Sequence, residues 1–195
     1  CLVVNERPIL TKAFGTSVIG IGQTTTLDFN ISNTGTSGIN RTGLSFNDNL
    51  PAGLVVANPP TATTGAGCAA ATLTGTADAS TSFGATGIRV NAGQTCVLTV
   101  TVRGETAGLK TNTTGNINIA TGLTNNVTAQ NLTVVQPTLT KAFGSANIDE
   151  NAATSLVFTL TNGSGNPAQS GLAWTETLPT SLRFTAASLP VAYGA

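Results

Sequence analysis

Apolar and polar residues alternate along much of this chain. Leu27, Phe29 and Ile31 are interleaved with Asp28, Asn30 and Ser32. Cys96, Leu98, Val100 and Val102 are interleaved with Val97, Thr99 and Thr101. A period of two puts one set on each face of an extended strand, the apolar set inward. Thr and Gly are abundant, helix signals are nearly missing, and turn clusters interrupt the chain every ten or so residues, as in an antiparallel sandwich. The pattern predicts strands over 9–14, 25–32, 43–49, 55–56, 71–76, 87–90, 96–102, 116–120 and 127–135. Asn33-Thr34-Gly35 reads as a turn because Asn and Gly accept the backbone angles a turn needs. Pro51 ends the third strand, since it has no N–H to give to a ladder. Residues 57–67 read as a loop rich in Pro, Thr and Gly.

The pattern also repeats. Pro8-Ile9-Leu10-Thr11-Lys12-Ala13-Phe14-Gly15 returns as Pro137-Thr138-Leu139-Thr140-Lys141-Ala142-Phe143-Gly144, an offset of 129 residues. Leu27, Phe29, Ile31 and Asn33 recur as Leu156, Phe158, Leu160 and Asn162. After a one-residue deletion, Phe46 and Leu50-Pro51 recur as Trp174 and Leu178-Pro179. Solenoid repeats run about 20–50 residues, so a period this long implies a whole domain repeated. The predicted organisation is residues 1–7 as an N-terminal strand or the tail of a preceding repeat, 8–136 as a complete repeat, and 137–195 as the first half of a second. Pro137 opens the second unit with almost no linker, which implies a stiff junction.

Composition narrows the function classes. Only 8% of the residues are charged, against about 25% in ordinary soluble proteins. Eight basic and eight acidic residues cancel, which removes the attraction that nucleic acid would exploit. A surface so poor in charge favours association, here with further copies of the same chain; the alternative is a secreted Thr- and Gly-rich domain kept soluble by its hydroxyls and amides. No apolar run approaches the roughly 18 residues of a transmembrane helix. The chain has no His, so the commonest general base near neutral pH is missing, and no Gly-x-Ser-x-Gly elbow is present. The acids are scattered without the alternation of a calcium loop. The expectation is no catalytic residue, no metal site and no cofactor.

Two constellations carry chemistry of another kind. Cys68 and Cys96 fall in one repeat, and in an exported β-domain such a pair suggests a disulfide; the alternative is two buried thiols. Cys1 is left over, and the sequence does not say whether it is lipidated, paired with another chain or merely terminal. Lys12 sits in the first strand between apolar neighbours, where an ammonium is costly to bury. Asp48, just before Leu50-Pro51, is an acid for it to pair with, and Asn112 lies at the start of a late strand. Lysine, a carboxylic acid and asparagine are the groups an intramolecular isopeptide bond requires. The alternative is a Lys12 that snorkels to solvent and an Asp48 that caps a turn. The second unit repeats the lysine as Lys141 and sets Glu176 where Asp48 stood.

Thr11-Lys12-Ala13-Phe14, Asn33-Thr34-Gly35, Asp48-Asn49-Leu50-Pro51-Ala52-Gly53-Leu54, Gly93-Gln94-Thr95-Cys96 and Thr111-Asn112-Thr113, in that order, resemble the conserved-repeat domain of large bacterial surface proteins. That family is one of unknown function, similar in layout to immunoglobulin-like sandwiches. The resemblance covers residues 8–136 fully and 137–195 in part. It implies an exported, extracellular or cell-surface protein of tandem immunoglobulin-like Greek-key β-sandwiches without catalysis. The resulting expectation is a structural subunit of a bacterial filament. A strand such as Leu2-Val3-Val4 from the next subunit would add to the open edge of the half-repeat. The rival is an adhesin stalk that binds glycans or a surface. Against it stands the shortage of aromatics, since the one Trp, Trp174, aligns with the inward-facing Phe46.

Overall fold

The computed structural model describes residues 6–35, 38–57, 62–65 and 67–185. It is all-β. Two compact units are distinguished, one reaching Gln136 and grouped with Gly165–Pro167, the other made of the remaining residues from Pro137.

The first unit runs β1 (Ile9–Phe14), β2 (Val18–Gly20), β3 (Thr24–Ser32), β4 (Arg41–Asn49), β5 (Leu54–Val56), β6 (Ala62–Thr64), β7 (Thr72–Thr74) and β8 (Ser82–Val90). It continues with β9 (Thr95–Gly104), β10 (Gly108–Asn112), a 3-10 turn (Thr114–Asn116), β11 (Ile117–Thr121), β12 (Thr124–Asn125) and β13 (Gln130–Val135). One sheet has the order β12-β1-β3-β9-β5, with β6 also on β9. A second has the order β10-β13-β2, and a third β11-β4-β8-β7.

The two clearest alternating stretches become the central pair of the first sheet. β3 and β9 are antiparallel, with Leu27 opposite Val100, Phe29 opposite Leu98 and Ile31 opposite Cys96. All six side chains are fully buried. They face the third sheet through an aromatic cluster, the Phe29 ring lying 4.6 Å from Phe46 and 5.6 Å from Phe83. Each such burial stabilises the fold by about 1.5–3 kcal/mol, and aromatic pairing adds about 0.5–1.5 kcal/mol. Ile19, Leu132 and Val134 of the second sheet close the same core.

The chain changes sheets within its first strands. β1 pairs with β3, and after Gly15 the next strand, β2, pairs with β13. A Cβ at Gly15 would press on the Thr26 hydroxyl, which would have to turn aside. The Thr25 hydroxyl accepts from the Thr16 backbone N–H at 3.1 Å and holds the crossing in place. After β4, the turn from Pro51 to Leu54 closes with a 3.0 Å bond from the Leu54 N–H to the Pro51 carbonyl. Gly53 takes φ +82° there, which a side chain would resist.

Several expectations shift. Residues 57–67 contain β6, and β8 extends to Ser82, well upstream of the predicted 87–90. Strands β2, β10 and β12 have no counterpart among the strands that the sequence pattern predicts. Asn112 ends β10 and does not begin a strand. It is the next residue, Thr113, that caps the 3-10 turn through its side chain.

In the second unit, β14 (Thr138–Phe143) and β15 (Leu156–Thr161) form an antiparallel pair. Lys141 stands opposite Phe158, as Lys12 stands opposite Phe29, and every partner in the ladder lies 129 positions beyond its counterpart in β1–β3. Phe143, Val157, Leu160 and Trp174 are exposed. Trp174 therefore does not share the buried setting of Phe46; its ring lies 5.9 Å from that of Phe158.

Candidate functional site

The alternation that buries Leu10 also turns Lys12 inward, and Lys12 is only 3% exposed. On β4 the inward series Leu44 and Phe46 ends at Asp48, which is fully buried. On β10 the inward positions are Lys110 and Asn112, while Leu109 points out. Three strands from three different sheets thus deliver a lysine, an aspartate and an asparagine to one place. The registers set Lys12 opposite Phe29 and Asp48 opposite Phe83, so the polar groups stand on strand positions next to the aromatic cluster.

The contacts are short and reciprocal. Lys12 Nζ donates to Asp48 Oδ1 at 3.0 Å and to the Thr113 carbonyl at 3.0 Å. It also donates to Asn112 Oδ1 in the closest contact of the group. Asn112 Nδ2 donates to the other Asp48 oxygen, Oδ2, at 2.6 Å. The carboxyl therefore spans the lysine nitrogen and the amide nitrogen. Burial pulls the Lys12 amine below its ordinary value, opposed by the charge and hydrogen bond of Asp48. Burial likewise pushes the Asp48 carboxyl up, opposed chiefly by the Lys12 charge and then by the bonds from Asn112 and Lys12. Desolvation is the leading cause in both cases, and it favours the uncharged forms.

The sulfurs of Cys68 and Cys96 are joined in a disulfide. It ties the start of β9 in the first sheet to the segment whose Ala69 bridges Arg89 of β8 in the third sheet. The second unit carries a related but open pair, with Lys141 Nζ 2.7 Å from Glu176 Oε1 and the Lys141 side chain 57% exposed. The proposed intersubunit strand Leu2-Val3-Val4, and Cys1, lie outside the described residues. Among those residues no helix is long and apolar enough to cross a membrane.

Sequence reasoning names the three members of the buried cluster but misses Thr113 as the third acceptor for Lys12. The backbone carbonyl of Thr113 has no sequence signature beyond its place next to Asn112. Lys110 is missed as well. It is 8% exposed and donates to Thr106 Oγ1 at 2.7 Å. The spacing of Lys110 and Asn112 on one strand face is the signal that could have found it.

The family model described as Domain of unknown function (DUF7933) matches residues 8–134 and 137–192. The chain belongs to this family. No curated protein matches it. Two solved cohesins are similar to it at 13% identity. One is a non-cellulosomal cohesin from the hyperthermophilic archaeon Archaeoglobus fulgidus, with a TM-score of 0.42, 66% of this chain covered and 92% of that one. The other is the seventh ScaB type I cohesin from Pseudobacteroides cellulosolvens, with a TM-score of 0.38, 65% of this chain covered and 92% of that one.

Proposed function

We propose that this chain is a structural, non-catalytic segment of an exported bacterial surface protein or filament, built from immunoglobulin-like repeats in tandem. One observation carries the reading: the β14–β15 ladder reproduces the β1–β3 ladder position for position, 129 residues further on. Repetition of a packed unit is how chains gain length without new chemistry. The disulfide supports an oxidising, extracellular setting. The shortage of charge supports faces that associate with copies of the same chain. Electron microscopy of the material from its source tests the proposal. Filaments or rods with an axial repeat on the scale of one or two domains would support it. Compact particles without a repeat would refute it.

A second reading, an adhesin segment with a glycan ligand, draws on Trp174. That residue is 47% exposed and lines a cavity of about 270 Å³ with Phe158, Lys141 and Glu176. An exposed aromatic face beside hydrogen-bonding groups suits a sugar ring. A glycan-array signal abolished by Trp174→Ala would favour this reading over the first; an array without signal would exclude it.

A further inference from the structure

We infer that the first unit joins Lys12 to Asn112 by an amide bond, in a reaction carried out by the folded domain itself with Asp48 as proton carrier. This goes beyond the structural role proposed above and does not depend on it.

A buried lysine–aspartate pair alone does little for a fold, because desolvation offsets most of the attraction. This pair has a third member placed for chemistry. Lys12 Nζ lies against the side-chain amide of Asn112, so the nucleophile is already beside its target carbon. Asp48 Oδ1 faces the attacking nitrogen at 3.0 Å, and Oδ2 faces the amide nitrogen at 2.6 Å. One carboxyl group therefore reaches both atoms that must exchange a proton. The side chains of Lys12 and Asp48 have no solvent exposure, and Asn112 has none. Water, the competing nucleophile, is kept out.

The step balances with no co-reactant. The neutral Lys12 amine attacks Asn112 Cγ, and its surplus proton passes to Asp48 Oδ1. The proton already on Asp48 Oδ2 passes to Asn112 Nδ2. The Cγ–Nδ2 bond breaks, the electron pair stays on nitrogen, and one molecule of ammonia leaves. The Nζ–Cγ bond remains as a secondary amide, and Asp48 ends protonated as it began. The required starting forms, a free amine and a carboxylic acid, are those that desolvation favours at both groups. Amides resist amines in water, but reactants held in contact gain effective molarities of about 10⁵–10⁸ M. A domain that folds once and stays folded can use that advantage over its whole lifetime.

Intact mass spectrometry of the full chain, denatured and unreduced, tests the bond. The expected mass is that of the sequence less the two hydrogens of the disulfide and less one ammonia. Tryptic digestion is expected to leave Lys12 uncut, in a branched peptide that also contains Asn112. A chain that keeps its full complement of ammonia overturns the inference, as does ammonia loss mapped to any other pair. Asn112→Ala is expected to abolish the loss. Asp48→Asn keeps the shape of the acid but cannot relay the proton, and is expected to slow bond formation at least a hundredfold, roughly the scale of general acid–base catalysis. Circular dichroism on each variant separates a failed reaction from a failed fold. Should Asp48→Asn not fold, Asp48→Ala takes its place. A folded Asp48 variant that still crosslinks at the wild-type rate overturns the role given to Asp48.

Discussion

Reducing the Cys68–Cys96 disulfide perturbs the fold without deleting a side chain, which makes its cost calculable. The bond closes a loop of 28 residues. Chain entropy puts the freedom restored to the unfolded state at about 12 cal/mol/K, or about 3.6 kcal/mol at 25 °C. Unfolding entropy near the melting point is about 2.1 cal/mol/K per residue, about 270 cal/mol/K for a unit of this size. The melting temperature of the first unit is therefore expected to fall by about 13 °C on full reduction. Differential scanning calorimetry with and without reductant measures this, with thiol counting to verify that both sulfurs are free. The amide inferred above would enclose this loop within a larger one, and that changes the figure only by about 0.3 kcal/mol, because loop entropy varies with the logarithm of length. A fall of under about 3 °C would refute the reasoning. It would mean that residual structure already restrains these residues in the unfolded chain.

Three further outcomes are expected. Lys12→Met leaves Asp48 buried and removes the largest influence holding its pKa down. A raised carboxyl contributes stability that is complete below its ordinary value of 3.8 and is lost as pH rises through the folded value. The variant should therefore gain stability on acidification from neutrality, by about 1.4 kcal/mol for each pH unit separating the folded pKa from the unfolded one. Its urea midpoint reads the gain, and a midpoint that falls steadily with acid would contradict this. Asn33→Ala removes an amide that donates to the carbonyls of Ile39, Val90 and Asn91 at 2.9, 3.1 and 3.2 Å. Leaving the buried Val90 carbonyl without this donor should cost about 1–3 kcal/mol in chemical denaturation, and a neutral result would show that water takes the place of the amide. Gly84→Ala drives a Cβ into the Phe46 carbonyl, where β8 lies close on β4. A loss of about 1–3 kcal/mol is expected, and an unchanged melting curve would mean that the two strands separate freely.

The strands most closely bounded by the sequence are those whose inward positions are mostly apolar. β3 and β9 satisfy this rule, and the pattern places both within a residue or two of their ends. β10 breaks it. It buries Lys110 and Asn112 and leaves Leu109 62% exposed, so its alternation runs against its burial. The strand is illegible for the same reason that it matters, since its inward face holds the polar cluster. Lys12 and Asp48 are legible because each is a charged residue within an otherwise apolar inward series. Trp174 misleads because alignment with Phe46 suggests the same burial, whereas burial is set by the strands that cover a position and not by the residue that occupies it.

The pairing of β2 with β13 has a consequence for how the first unit would respond to a pull on its chain. The two strands are parallel, with Val18 beside Thr133 and Gly20 beside Val135, and they stand near the two ends of the unit. Parallel neighbours run the same way, so the chain enters at one pole of this ladder and departs from the other. Tension along the chain then drags β2 and β13 past each other, and the rungs between them are strained together in shear. A zipper opens one rung at a time, whereas a sheared ladder yields only when several rungs fail at once. The domain should resist stretching along its own backbone far better than peeling from the side.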